Sequence, residues 1–199
     1  MKANEPSSDP QAVAPTAAEE AIKERTEAAR DHMAKRHWEQ ALSTYQEALT
    51  LQEEAGDGVG VAKTQNDIAS IYLVQKEWQQ ALDLLNKAYP VLKEAEAHEQ
   101  EAIALNNIAA AHSELGNWEQ ALSTYEEALA LRNTMQDKAG EAKTLRNIGI
   151  MYAKAGDRIK AKGYLDRAMA AAAQSKSQEV LKAIRQSLSQ LQKPQKPRR

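Results

Sequence analysis

The stretch WEQALSTY at Trp38–Tyr45 recurs letter for letter at Trp118–Tyr125. A related stretch, WQQALDLL, begins halfway between the two copies, at Trp78. The sequence therefore repeats with a period of forty residues. A fixed period of this length predicts an array built from one small structural unit.

Each repeated unit has two halves, and the apolar residues of each half have helical spacing. In one copy of the second half, Trp118, Leu122 and Tyr125 fall on one face. The first half carries isoleucine at one repeat position in three copies, Ile68, Ile108 and Ile148. Short breaks such as LGN and AGD separate the halves. Each unit is therefore predicted to be a helical hairpin.

The composition favours helices and excludes several classes of site. The chain has no Phe, 8 Gly and 6 Pro in 199 residues, so most of it has helical preference. It has no Cys, which excludes disulfides, thiolate zinc sites and cysteine catalysis. No apolar run approaches the roughly 18 residues of a membrane span, and no secretory signal is evident. We therefore expect no membrane insertion and a cytoplasmic protein, or an exported one whose signal has been removed.

The period places the domain boundaries. Residues 1–16 have three Pro and little apolar content, which predicts a disordered N-terminal arm. The helical array is predicted over 17–192. Its hairpins span about 18–57, 58–97, 98–137 and 138–176, and a single capping helix spans 177–192. Residues 193–199 form a short basic tail.

The repeated residues resemble the tetratricopeptide repeat family. That family places a small residue where the first helix packs closest, as at Ala69, Ala109 and Gly149, and an aromatic residue at the turn, as at Trp38, Trp78 and Trp118. The resemblance covers about 18–174. It implies an all-α fold, a right-handed superhelical α-solenoid of antiparallel helix hairpins, here with four units and a C-terminal capping helix.

The sequence departs from the family pattern in two ways. The family's commonest period is 34 residues, and the longer period is similar to that of kinesin light chains, Pins-type adaptors and bacterial regulatory proteins. In addition, Arg158 replaces the tryptophan of the other hairpins. This replacement predicts a looser fourth hairpin.

No residue pattern indicates catalysis, so we expect a protein that is not an enzyme. The four His form no plausible ligand set, which argues against a metal site. Neighbouring carboxylates such as Glu126 and Glu127 lie on a predicted exposed helix face. The chain has no phosphate-binding glycine loop, and no cofactor is expected. Nucleic acid is not expected as a partner, because no aromatic residues interleave with the basic ones.

The resemblance implies that the first helices line a concave groove that holds a peptide or a helix of a partner protein. Asn107 and Asn147 occupy one repeat position, with Asp67 as the third member. In the family, an asparagine there bonds the main chain of an extended peptide, which suits a side chain with both donor and acceptor. The predicted peptide-binding residues are Lys63, Asn66, Asp67, Ser70, Asn106, Asn107, Lys143, Arg146, Asn147 and Lys154.

Charge suggests the nature of the partner and an alternative function. Residues 1–100 contain 10 basic and 18 acidic residues, whereas residues 101–199 contain 16 and 10. Lys143, Arg146 and Lys154 would attract an acidic peptide to the C-terminal end of the groove. The alternative is a self-assembling homo-oligomer, in which the acidic half of one copy meets the basic half of the next, head to tail.

Overall fold

A computed structural model describes residues 15–193, and this part of the chain consists of helices without strands. The helices are α1 (Ala17–Ala34), α2 (Trp38–Glu54), α3 (Gly58–Gln75), α4 (Trp78–Glu94), α5 (His98–Glu114), α6 (Trp118–Thr134), α7 (Lys138–Ala155), α8 (Arg158–Ser175) and α9 (Gln178–Gln192). Nearly all of the predicted arm and tail lies outside the described residues. The helices form antiparallel hairpins, which confirms the predicted all-α repeat array.

The helices belong to two compact units, which divide after Gly56. The first unit contains the hairpin of α1 and α2. Its core consists of Ala29, Ala41, Tyr45 and Ala48, all without exposed surface. At the surface, Arg25 Nε lies 3.1 Å from a carboxylate oxygen of Glu47.

The second unit contains three hairpins, α3–α4, α5–α6 and α7–α8, followed by the single helix α9. Successive first helices pack against one another, and so does each second helix against the next first helix. Small and large residues alternate in the core, as with Ala69, Ala81 and Leu85 in the α3–α4 hairpin. This arrangement brings α3, α5, α7 and α9 side by side in consecutive pairs.

In the fourth hairpin, α7 and α8 pack closely at Gly149. A Cβ at Gly149 would lie 2.8 Å from Leu165 Cγ and 3.1 Å from the Ala161 carbonyl oxygen. In addition, the Arg158 guanidinium donates to the carbonyl oxygen of Leu191, at the C-terminus of α9. The expectation of a looser fourth hairpin is therefore wrong: α7 and α8 pack closely, and Arg158, at the tryptophan position of the other hairpins, contacts the last helix.

Among the described residues, helices α2 to α9 begin twenty residues apart, half the sequence period. Each inter-helix turn contains one residue in the left-handed region, which reverses the chain after the helix. These residues are Arg36, Gly56, Lys76, Glu96, Gly116, Gln136, Gly156 and Lys176. The next residue in each turn is the N-cap of the following helix. In four turns its side chain accepts the N–H three residues on: Asp57, Asp137, Asp157 and Ser177.

Candidate peptide-binding groove

The ten predicted binding residues lie on the first helices α3, α5 and α7 of the second compact unit. The forty-residue period places Asn66, Asn106 and Arg146 at one register position, and Asp67, Asn107 and Asn147 at the next. Their side chains have three different environments. One set joins neighbouring helices, one set lies in ion pairs or is partly buried, and one pair faces an open cleft.

Amide side chains join α3 to α5. Asn107 Nδ2 donates to Asn66 Oδ1 and to Ser70 Oγ, both at 3.0 Å. Ser70 Oγ in turn donates to the Asn66 carbonyl oxygen at 3.1 Å. Asn66 is only 2% exposed. Because a primary amide has two N–H donors, Asn107 keeps only its carbonyl oxygen for a ligand, and Asn66 is part of the helix packing.

Asn106 joins α5 to α7 in a related way. Its Nδ2 donates to Thr144 Oγ1 at 2.8 Å and to the Ala102 carbonyl oxygen at 3.1 Å. Thr144 is buried and donates to the Gly140 carbonyl oxygen at 3.0 Å. Asn106 Oδ1 is buried without a partner among residues 15–193. Asn106 therefore holds two helices together and presents no donor to a ligand.

Arg146 joins α7 to α9. Its Nε donates to Ser187 Oγ at 2.9 Å and to the Ala183 carbonyl oxygen at 3.2 Å. Burial lowers the pKa of the Arg146 guanidinium, because desolvation disfavours its charged form. The predicted role of Arg146 as a groove cation is not what the structure shows, since the side chain is directed to the last helix.

The remaining charged candidates differ in exposure. Lys154 of α7 forms an ion pair with Glu114 of α5. Lys63 and Asp67 are partly buried on α3. Of the cations predicted for the groove, Lys143 is exposed, and it has no hydrogen bond or ion pair to any residue between 15 and 193.

A cleft of about 490 Å³ lies between α5 and α7. Lys143 and Asn147 line one wall, one helical turn apart, and Ile103 and Asn107 line the other. Asn147 has no side-chain hydrogen bond within the described part of the chain. Glu99 of α5 also lines the cleft, so the cleft presents a full amide, an ammonium group, one further amide oxygen and a carboxylate.

The sequence prediction missed Arg132, which is only 7% exposed and lines the same cleft from the end of α6. Arg132 Nη1 donates to Asp137 Oδ2 at 2.6 Å, and Asp137 Oδ1 accepts the Gly140 N–H at 2.8 Å. A Cβ at Gly140 would lie 2.6 Å from Arg132 Nε. The available signal was a break in the repeat: the equivalent residues are Gln52, Leu92 and Ala172.

Two further properties of residues 15–193 concern metal ions and membranes. No group of three or more His, Asp or Glu side chains there has a metal-binding arrangement. No helix in this range combines the length and the apolar character of a membrane span. The α5–α7 cleft offers hydrogen-bonding groups, the ammonium group of Lys143 and the carboxylate of Glu99, a set that suits recognition of a polypeptide.

The family model described as "Tetratricopeptide repeat" matches residues 20–94, 60–134 and 100–174. The chain belongs to the tetratricopeptide repeat family. The three matches are offset by forty residues each, which confirms the period derived from the sequence. No curated protein sequence matches the chain.

Several solved structures have a similar fold at low sequence identity. A Rap protein complexed with competence and sporulation factor has a TM-score of 0.77 and 17% identity, over 89% of this chain and 49% of that one. Aspartyl phosphate phosphatase F from Bacillus subtilis has a TM-score of 0.76 and 16% identity, over 89% and 46%. BtubC (BKLC) from P. vanneervenii has a TM-score of 0.66 and 22% identity, over 95% of this chain and 72% of that one. The chain spans about half the length of the first and second of these proteins.

Proposed function

We propose that this tetratricopeptide repeat chain is a non-enzymatic scaffold that binds an extended, acidic segment of a partner protein in the α5–α7 cleft. The observation that carries the proposal is the contrast among the polar residues of the first helices. Most of them bond to a neighbouring helix, whereas Lys143 and Asn147 face the cleft without such bonds. Binding in a related fold supports the idea, since one similar structure is a Rap protein with a bound factor.

The roles follow from the donors and acceptors that remain. The Asn147 amide donates to a main-chain carbonyl of the segment and accepts a main-chain N–H, which fixes register without reading sequence. Asn107 contributes only an acceptor, because its N–H groups are used within the scaffold. Lys143 selects a carboxylate, and this charge-assisted contact favours acidic segments. The rigid helices hold these groups in place before binding, which reduces the entropy lost on association.

The test needs a partner first, so affinity purification from native lysate comes before a titration with the purified partner segment. The double substitution K143A/N147A is expected to weaken binding roughly ten- to hundredfold, at about 1.4 kcal/mol per decade. K182A/N133A is the matched control, because both of its residues are exposed outside the cleft. An unchanged dissociation constant for K143A/N147A would remove the cleft as the binding site.

A second candidate function is self-assembly, and the charge distribution favours it. Residues 57–136 contain twelve acidic and five basic residues, whereas residues 137–193 contain five acidic and twelve basic ones. Opposite charges would draw one copy to the next, head to tail, and such contacts do not close unless the rotation forms a ring. Light scattering over a range of protein and salt concentrations is the test: a scattering mass that grows with concentration and falls with salt supports open assembly.

A further inference from the structure

The outer surface of α8 differs from that of the other second helices. Where α2, α4 and α6 carry Glu39, Gln79 and Glu119, α8 carries Ile159. Ile159 is 88% exposed, more than any other large apolar residue among residues 15–193. A polar helix position has thus become apolar in one hairpin only.

Ile159 borders an apolar cleft between α8 and α9 of about 460 Å³. Leu188 and Leu191 of α9 line its other side, and Gly163 keeps it open, since a Cβ there would meet no atom within 4 Å. Lys162 and Asp166 also line the cleft and form an ion pair, with Lys162 Nζ 2.6 Å from Asp166 Oδ2. The cleft can accept a large apolar side chain.

Basic residues continue this surface along α8 and are held in place by two tyrosines. The rings of Tyr152 and Tyr164 stack with centroids 5.4 Å apart. Lys160 Nζ lies 5.1 Å from the Tyr152 centroid, and the Arg167 guanidinium carbon lies 5.1 Å from the Tyr164 centroid. These cations lose less freedom on binding than unsupported side chains would. Lys160 pairs with Asp157 at 3.6 Å and Lys162 with Asp166 at 2.6 Å, so this surface is less basic than its cations alone would make it but still has a net positive charge. We call Ile159, Lys160, Lys162 and Arg167 the basic face.

The outer surface of α6 is the chemical complement of the basic face. Glu119, Glu126 and Glu127 are exposed there, and α6's one basic residue, Arg132, is buried. Trp118, at the start of the helix, is 39% exposed. A partly exposed tryptophan with carboxylates beside it has the character of an interface anchor. We call Trp118, Glu119, Glu126 and Glu127 the acidic face.

We infer that the chain forms a two-fold symmetric dimer in which the acidic face of each copy docks on the basic face of the other. The two faces belong to consecutive second helices, and Leu122 of α6 and Tyr164 of α8 pack against the same core cluster. Contact between identical faces would oppose like charges. Pairing α6 with α8 of the second copy matches opposite charges, and a two-fold axis makes that contact twice.

This dimer is independent of the proposed peptide binding, because its faces lie on second helices and the groove residues lie on first helices. It also differs from head-to-tail assembly. A two-fold contact closes, so the mass stops at twice the monomer mass of 22.0 kDa, whereas a head-to-tail contact adds further copies.

The first experiment is sedimentation equilibrium of the full chain at low salt, with the single substitution Ile159→Glu beside the wild type. The wild type is expected to reach twice the monomer mass and no more. I159E is expected to remain monomeric and folded, because Glu39 and Glu119 show that this repeat position accepts glutamate. A wild-type mass that stays at the monomer value, or that keeps growing with concentration, would overturn the dimer.

The second experiment reverses the charge of one face at a time and then mixes the products. The acidic-face variant is E119K/E126K/E127K, and the basic-face variant is K160E/K162E/R167E. Each is expected to be monomeric alone, because both of its faces then carry one sign of charge. Their mixture is expected to form a heterodimer, in which both contacts again join opposite charges. If the mixture stays monomeric, the pairing of α6 with α8 is wrong.

The control variant E39K/E53K/E54K reverses three exposed carboxylates of α2, outside both faces. It is expected to dimerise as the wild type does. Loss of association in this control, with α6 and α8 intact, would contradict the proposed faces and favour the head-to-tail contact. Circular dichroism of every variant checks that the helices remain formed.

Discussion

The α3–α5 and α7–α9 junctions use the same repeat position in different ways. At the first, Asn66 accepts a hydrogen bond from Asn107. At the second, Arg146, which lies eighty residues and two hairpins further along the chain, donates to the Ser187 hydroxyl and the Ala183 carbonyl oxygen of α9. Neutral amides join two helices that each belong to a hairpin, whereas a guanidinium joins the last hairpin to a helix without a partner. The position serves helix stacking in both junctions.

The difference also explains why one asparagine is available to a ligand. Asn107 bonds to Ser70, which lies 37 residues earlier. The equivalent residue for Asn147 is Ala110, which has no acceptor in its side chain. Asn106, the other equivalent partner, instead directs its amide to Thr144. Asn147 therefore keeps its donors because the preceding hairpin lacks one hydroxyl group.

The largest expected effect is at the α7–α9 junction. Arg146→Ala removes a charged donor from two acceptors on α9. A hydrogen bond of a charged group contributes about 1.5–3 kcal/mol to the free energy of unfolding. We expect the free energy of unfolding to fall by about 2–3 kcal/mol in urea titrations, with faster amide exchange in α9. Arg185→Ala, an exposed arginine of α9, is the control. Equal stability of the two variants would contradict a junction role for Arg146.

A smaller effect is expected at the α3–α5 junction. Asn66→Ala removes the side-chain oxygen that accepts one Asn107 N–H. Asn66 is only 2% exposed, so water does not replace that acceptor easily. Unsatisfied buried donors cost about 1–3 kcal/mol, so we expect a loss of about 1–2 kcal/mol in thermal or urea unfolding. Asn147→Ala should change stability by less than about 0.5 kcal/mol, because it removes no internal bond. A similar loss in both variants would show that the two asparagines are equivalent after all.

The sequence was sufficient to predict the helical repeat fold. It did not predict which polar side chains bond to a neighbouring helix and which face the cleft. Repetition of Ala41, Ala81, Ala121 and Ala161 establishes the period, and the described helices α2 to α9 begin at half that interval. Neighbouring residues on a helix, such as Asn106 and Asn107, point about 100° apart. Which of them meets the next helix depends on the rotation of both helices, and a repeat period does not specify that rotation.

Two other features had weak signals in the sequence. Arg132, Arg146 and Arg158 each break the repeat pattern, and each turned out to contact another element. A break in a repeat therefore marked a contact more reliably than the residue type did. The left-handed conformation of the turn residues was harder to predict from the sequence. Five of the eight residues are not glycine, and their conformation follows from helix packing.

The contrast between Ser70 and Ala110 can be tested by adding the missing hydroxyl. In Ala110→Ser the new Oγ occupies the position from which Ser70 accepts Asn107. We expect a gain of about 0.5–1 kcal/mol in the free energy of unfolding, the usual net value of one hydrogen bond. The same substitution should weaken partner binding severalfold, since Asn147 then bonds within the scaffold. Tighter binding in A110S would contradict the proposed role of the free Asn147 amide.

The smallest expected effect on stability is at the inter-helix turns. Lys76 precedes α4 and Lys176 precedes α9, and both have left-handed backbones, with φ of 67° and 55°. This conformation costs a non-glycine residue about 1–2 kcal/mol, and the extra flexibility of unfolded glycine offsets about half of that. We therefore expect Lys76→Gly and Lys176→Gly each to raise the free energy of unfolding by about 0.5 kcal/mol, whereas Lys87→Gly within α4 should lower it by about 1 kcal/mol. Equal gains at the two turns would mean that α9 differs from the other helices through Arg146 and Arg158 alone. A loss at Lys176 with a gain at Lys76 would instead show that the lysine side chain helps to attach the last helix.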